Sequence, residues 1–123
     1  MKNPYTKDLS KARNKVEGET GEIRAVNFLK GKGYRILQTN FKTKFGEIDI
    51  IAQDKGVIVF VEVKERATLA FGRPIEAVDF RKQQKLRRVA EFYLMIKKQS
   101  LCDTRFDVIE ILGDQINHEI NAF

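Results

Sequence analysis

Four side chains, Glu22, Asp49, Glu62 and Lys64, are of the types that act together on a phosphate ester. Asp49 stands in Glu47–Ala52, a short run whose alternation puts Glu47, Asp49 and Ile51 on one face and Ile48 and Ile50 on the other. Aspartate is poorly suited to the interior of an apolar strand. Glu62 and Lys64 leave one face of the next apolar run two residues apart, and as a pair they could simply neutralise each other where that strand emerges from the core. Between the runs, Asp54, Lys55 and Gly56 supply a tight turn, so a hairpin sets the strand of Asp49 beside that of Glu62. Two carboxylates brought together repel, which raises one pKa unless a cation is shared between them. Mg²⁺ or Mn²⁺, held by carboxylates, a backbone carbonyl and waters, removes the conflict. Such an ion polarises a phosphate and acidifies a bound water, and the Lys64 ammonium is the natural group to orient that water.

The elements that must position these groups follow from periodicity. From Glu17 to Lys32, Ala25, Val26, Phe28 and Leu29 fall at helical spacing, with Gly31 and Gly33 as the stop. Glu22 lies three, four and seven residues before Ala25, Val26 and Leu29, so it shares their inward face, either at the rim of the core or aimed into a site. Tyr34–Phe41 reads as a strand, and Lys42–Gly46 turns the chain into Glu47–Ala52. Val57–Lys64 is apolar on both faces, the mark of a central strand. Ala67–Pro74 is a loop, and a second helix follows with Asp79 as its N-cap. On that helix Leu86, Val89, Ala90, Tyr93 and Ile96 make an apolar stripe, and Arg81, Lys85 and Arg88 a basic one. Arg105–Leu112 and Ile116–Ile120 close the chain as strands, giving the order α-β-β-β-α-β-β.

Composition narrows the setting. A chain of 123 residues holds one ordinary domain. Residues 1–16 read as a flexible basic arm and residues 17–123 as the domain itself. The longest unbroken apolar run, Val57–Val61, is too short to span a bilayer, and Met1–Lys15 lacks the apolar stretch of a secretory signal, so a cytoplasmic protein without a membrane partner is expected. One cysteine, Cys102, and one histidine, His118, exclude an internal disulfide and a zinc or iron–sulfur site; any metal must be held by oxygen. The 23 basic and 17 acidic residues give a net charge of +6, with the excess in two stretches: 9 basic against 4 acidic over residues 1–35, and 10 against 4 over residues 64–98. That distribution fits a phosphate-contacting face, although solvated helix surface would look the same.

The ordered series Gly21-Glu22, Lys32-Gly33-Tyr34, Gly46-Glu47-Ile48-Asp49-Ile50-Ile51-Ala52, Val59-Phe60-Val61-Glu62-Val63-Lys64 and Arg81-Lys82-Gln83 resembles the YraN family of small bacterial proteins, as does the ending Ile116–Phe123. That family is grouped with the restriction-endonuclease-like superfamily of Holliday-junction resolvases. The resemblance implies an α/β fold with a central mixed sheet flanked by helices, and a metal site. Carried over, Asp49 and Glu62 are direct ligands, Val63 offers its carbonyl, Lys64 positions the water, Glu22 acts through a water or a second ion, and Gln83 is a weaker member of the site. Ile48 stands where the superfamily's name motif has proline.

Two readings follow. One is a metal-dependent, endonuclease-like phosphodiesterase acting on DNA, branched or structured forms included. The other is a non-catalytic nucleic-acid-binding or partner-binding module that keeps the nuclease fold. On either, Arg66, Arg73, Arg81, Lys82, Gln83, Lys85 and Arg88 are the expected nucleic-acid contacts; phosphate contacts orient a duplex without reading its sequence. Symmetric cutting of two strands would call for a homodimer.

Overall fold

The computed structural model describes residues 20–66, 78–99 and 101–123. The basic arm of residues 1–16, the loop Ala67–Pro74 and Arg73 lie outside the described residues. Among the described residues two helices and five strands follow in the expected order: α1 (Gly21–Gly31), β1 (Arg35–Thr43), β2 (Gly46–Asp54), β3 (Val57–Arg66), α2 (Phe80–Ile96), β4 (Thr104–Leu112) and β5 (Gln115–Glu119). α1 begins at Gly21 because Thr20 adopts an extended backbone and its hydroxyl accepts the Ile23 amide at 3.2 Å. Asp79 caps α2 in the same way, accepting the Lys82 amide at 2.8 Å.

The strands form one mixed sheet in the order β1-β2-β3-β4-β5, antiparallel throughout except for the parallel β3–β4 pair that α2 connects. β3 is central and buries both faces. Val59 and Val61 pack with Ala25 and Leu29 of α1, whereas Ile58 and Phe60 pack with Leu86, Val89 and Tyr93 of α2. The α2 stripe departs from expectation at one end. Leu86, Val89, Ala90 and Tyr93 are buried, but Ile96, in the last turn, is left half in solvent.

A second departure falls at the site itself. Regular alternation would send Ile48 and Ile50 to one face, yet Ile48 packs on the α2 side and Ile50 on the α1 side. The hairpin is distorted between them: Asn40, opposite Asp49 in the β1–β2 register, has a left-handed backbone (φ 53°), and pairing of β2 with β3 stops at Ile50↔Val61. Among the described residues, no helix is long and apolar enough to cross a membrane.

Candidate active site at the parting of two strands

Beyond Ile50 the second strand leaves the third, and the Asp49 side chain enters the gap. Its Oδ2 accepts a 2.8 Å hydrogen bond from the Val63 amide, a donor that the strand pairing no longer uses. Gly46 makes the departure possible at the other end of the segment: its φ of +148° is closed to residues with a side chain. A cavity of about 290 Å³ opens there, with Glu47, Asp49 and Glu62 facing Lys82 and Lys85 over Leu86 and Val89. The two carboxylates that the sequence sets on neighbouring strands therefore meet on one side of the sheet.

Glu22 stands behind this cavity. α1 carries it on the same face as the buried Ala25 and Leu29, and Asn40 Nδ2 donates to its Oε1 at 2.8 Å. Packing is close at this end of α1: a Cβ on Gly21 would come within 2.6 Å of the Glu65 carboxylate. Partial burial raises the Glu22 pKa, the Asn40 hydrogen bond opposes the rise and the Glu47 charge adds to it. Asp49 feels a stronger version of the same environment. Burial pushes its pKa from 3.8 up to about 7, with the charges of Glu62, Glu22 and Glu47 adding to the rise and the Val63 hydrogen bond opposing it.

Glu62 is answered by a cation. Lys82 Nζ lies 3.0 Å from its Oε2, so this lysine, expected on the phosphate-contacting face, pairs with a proposed metal ligand. Lys64 follows Glu62 by two residues on the same strand, beyond the lining of the cavity. The Gln83 amide donates to the Val78 carbonyl at 2.8 Å and so fastens the entrance of α2. Arg66 reaches Glu110 at 3.2 Å. Among the described residues no three His, Cys, Asp or Glu side chains are gathered closely enough to make a ready cage for a metal ion.

The basic stripe of α2 forms a neighbouring groove of about 630 Å³, where Lys44, Arg81, Lys85, Arg87 and Arg88 surround Phe45. The groove and the carboxylate cavity share Phe45 and Lys85, so the two are adjacent. Arg88 stacks on Phe45 at 5.1 Å, while Arg87 lies over Phe106 at 5.0 Å and is in part a packing residue.

Residues 21–111 match the model of "Uncharacterised protein family UPF0102", a span that takes in Glu22, Asp49, Glu62, Lys64 and all of α2. The chain belongs to that family. UPF0102 is the YraN-type family, in agreement with the motif series. Among its members, a UPF0102 protein of Alkaliphilus oremlandii is 51% identical over 89% of this chain and 99% of its own. One of Caldicellulosiruptor saccharolyticus is 52% identical over 80% and 84%, and one of Persephonella marina 44% identical over 88% and 93%.

Three features of this UPF0102 chain are not legible in its sequence spacing. Asn40 gives no signal beyond asparagine's tolerance of a left-handed backbone. The Lys82–Glu62 pair depends on how α2 docks. Glu110 shows only as a carboxylate inside the apolar run Val108–Leu112; it is fully buried, and its Oε1 has no hydrogen-bond partner among the described residues.

Proposed function

We propose that this UPF0102 protein is a cytoplasmic, metal-dependent phosphodiesterase that cuts DNA as an endonuclease, with branched or structured DNA as the substrate class. The observation that carries the reading is the convergence of Asp49 and Glu62, from strands that part at this level, in a cavity next to a basic groove. The donor set suits Mg²⁺ or Mn²⁺. It is all oxygen, it concentrates negative charge around Asp49, and these ions keep several waters and so need only a few protein ligands. Asp49, Glu62 and the Val63 carbonyl would hold the ion, with Glu22 acting through a water or a second ion. When bound, the ion would polarise the scissile phosphate and acidify the attacking water.

The chain's own residues supply the rest. The Lys64 ammonium, two residues along the strand from Glu62 and outside the cavity lining, would orient the water and balance charge developing on the phosphate. Lys85, Arg81 and Arg88, with Arg66 and Arg73, hold the phosphate backbone, and contacts of that kind select a substrate by its shape. Two copies facing one junction would allow symmetric cutting.

The lack of a ready cage among the described residues and the Lys82–Glu62 pair favour the second reading, a nucleic-acid-binding or partner-binding module without turnover. One experiment separates the two: labelled junction, flap, duplex and single-stranded DNA incubated with Mg²⁺, Mn²⁺ or chelator. Metal-dependent cleavage that Asp49→Asn and Glu62→Gln abolish is the expected result. Binding without cleavage in either metal would leave the module.

A further inference from the structure

Lys82 occupies a position where a lysine is unfavourable unless something answers it. It lies in the first turn of α2, which contains no acidic residue, and the positive end of a helix dipole disfavours a cation there. Its backbone is fixed, since Asp79 Oδ1 accepts its amide at 2.8 Å. The side chain can turn on that anchor: it is 48% exposed, and its ammonium reaches the Glu62 carboxylate, only 13% exposed, at 3.0 Å. Glu62 and Asp49 line the same cavity, and Lys85 stands beside Lys82 at its basic wall.

We infer that Lys82 is an exchangeable internal cation: its ammonium neutralises Glu62 while no divalent ion is bound, and transfers to a substrate phosphate when one is. The inference rests on the nuclease reading and adds a coupling to it. A divalent ion at Asp49 and Glu62 would bring two positive charges close to the ammonium, and their repulsion would weaken its hold on Glu62. The lysine then swings about its fixed backbone toward the groove that Arg81 and Lys85 line, where a phosphate takes the place of Glu62 as its partner. Lys82 thus competes with the ion in the absence of DNA and favours its binding in the presence of DNA. Coupling of this kind is reciprocal, so the ion tightens DNA binding by the same factor as DNA tightens ion binding.

Two measurements on the full chain test this, neither of which depends on cleavage. Calorimetric titration with Mn²⁺, without DNA and at low salt, should show Lys82→Ala binding the ion roughly two- to fivefold more tightly than wild type, the range of a half-exposed ion pair. Lys85→Ala, which removes a charge from the same wall without breaking the Glu62 pair, should show a smaller gain. Fluorescence anisotropy with a junction DNA should show that Ca²⁺, used to avoid turnover, tightens binding by wild type and tightens Lys82→Ala distinctly less. Lys82→Gln, which keeps the length of the side chain, replaces Lys82→Ala if the latter fails to fold. A wild type that binds Mn²⁺ together with Lys82 variants of unchanged or weaker Mn²⁺ affinity would overturn the exchange and leave the nuclease reading intact. A wild type that binds no Mn²⁺ would overturn both.

Discussion

The Asp49 carboxylate stands in for a strand: it takes the Val63 amide at 2.8 Å, the place in the ladder that β2 has vacated. The consequence of that placement is a carboxyl whose pKa rises from 3.8 to about 7 through burial first and neighbouring carboxylates second. An acid raised on folding holds its proton more tightly in the folded state. Its contribution is therefore fully present below pH 3.8 and is lost as pH rises through about 7. Asp49→Asn should remove this loss, stabilising the metal-free protein by about 1–3 kcal/mol at pH 8 and leaving it nearly unchanged at pH 4. It should also abolish any stabilisation by Mn²⁺. Urea denaturation at both pH values, with chelator and with Mn²⁺, checks the pair; a mutant destabilised at pH 8 would sink the account.

Asp107 is buried too, and should behave in the opposite sense. On the α1 face of the sheet it accepts from His118 Nε2 at 2.8 Å, Arg105 Nε at 3.0 Å and the Asn121 amide at 2.9 Å. Lys32 Nζ contacts His118 Nδ1 at 2.8 Å, and an ammonium has only protons to give, so Nδ1 accepts and Nε2 carries the hydrogen that Asp107 receives. Burial alone would raise the Asp107 pKa, but the hydrogen bonds from His118, Arg105 and Asn121 outweigh it and bring the value below 3.8. A depressed acid stabilises the fold above its unfolded pKa and stops doing so as pH falls through the folded one. Asp107→Asn should cost about 3 kcal/mol at pH 7, since it strips a buried network of its charge, and the cost should not depend on Mn²⁺. Equal denaturation midpoints for mutant and wild type would contradict this.

Asn40 offers a way to disturb the site without disturbing the fold. Its amide holds Glu22 Oε1 at 2.8 Å while its backbone is left-handed, a conformation that glycine tolerates better. Asn40→Gly should hold thermal stability within about 1 kcal/mol, because relief of backbone strain offsets an exposed hydrogen bond. Without that donor, the partly buried Glu22 should titrate still higher, and on the nuclease reading cleavage should fall more at acid than at alkaline pH. A pH–rate profile that matches wild type would show that Glu22 needs no positioning.

If the groove around Phe45 is the proposed DNA contact, binding should respond to salt in a defined way. Arg81 and Lys85 both line it, so replacing each by glutamate should weaken binding and reduce the slope of log K against log salt by about 0.9 for each phosphate no longer neutralised. Arg87, stacked on Phe106 and Phe123, should change the slope less and the stability more. Anisotropy titrations at three salt concentrations measure the slopes directly, and slopes unaffected by both reversals would mean that the α2 stripe is solvated surface.

Much of this could be read along the chain because the signals are local. The order of helices and strands, the Asp79 cap, the two-sided burial of Val57–Val61 and the pairing of Asp49's strand with Glu62's follow from periodicity and a short turn. The seam between β2 and β3 did not. Period-2 reasoning assumes an unbroken ladder, whereas a left-handed Asn40 and an aspartate in place of a backbone partner send Ile48 and Ile50 to opposite faces. Which cation answers Glu62 was likewise outside the reach of sequence spacing. Lys64 is the near neighbour by residue number, but Lys82 makes the 3.0 Å contact, because the packing of Leu86, Val89 and Tyr93 against Ile58 and Phe60 seats α2 on this face of the sheet. Local chemistry determined which groups the site could contain; the docking of one helix and the parting of two strands determined which of them meet.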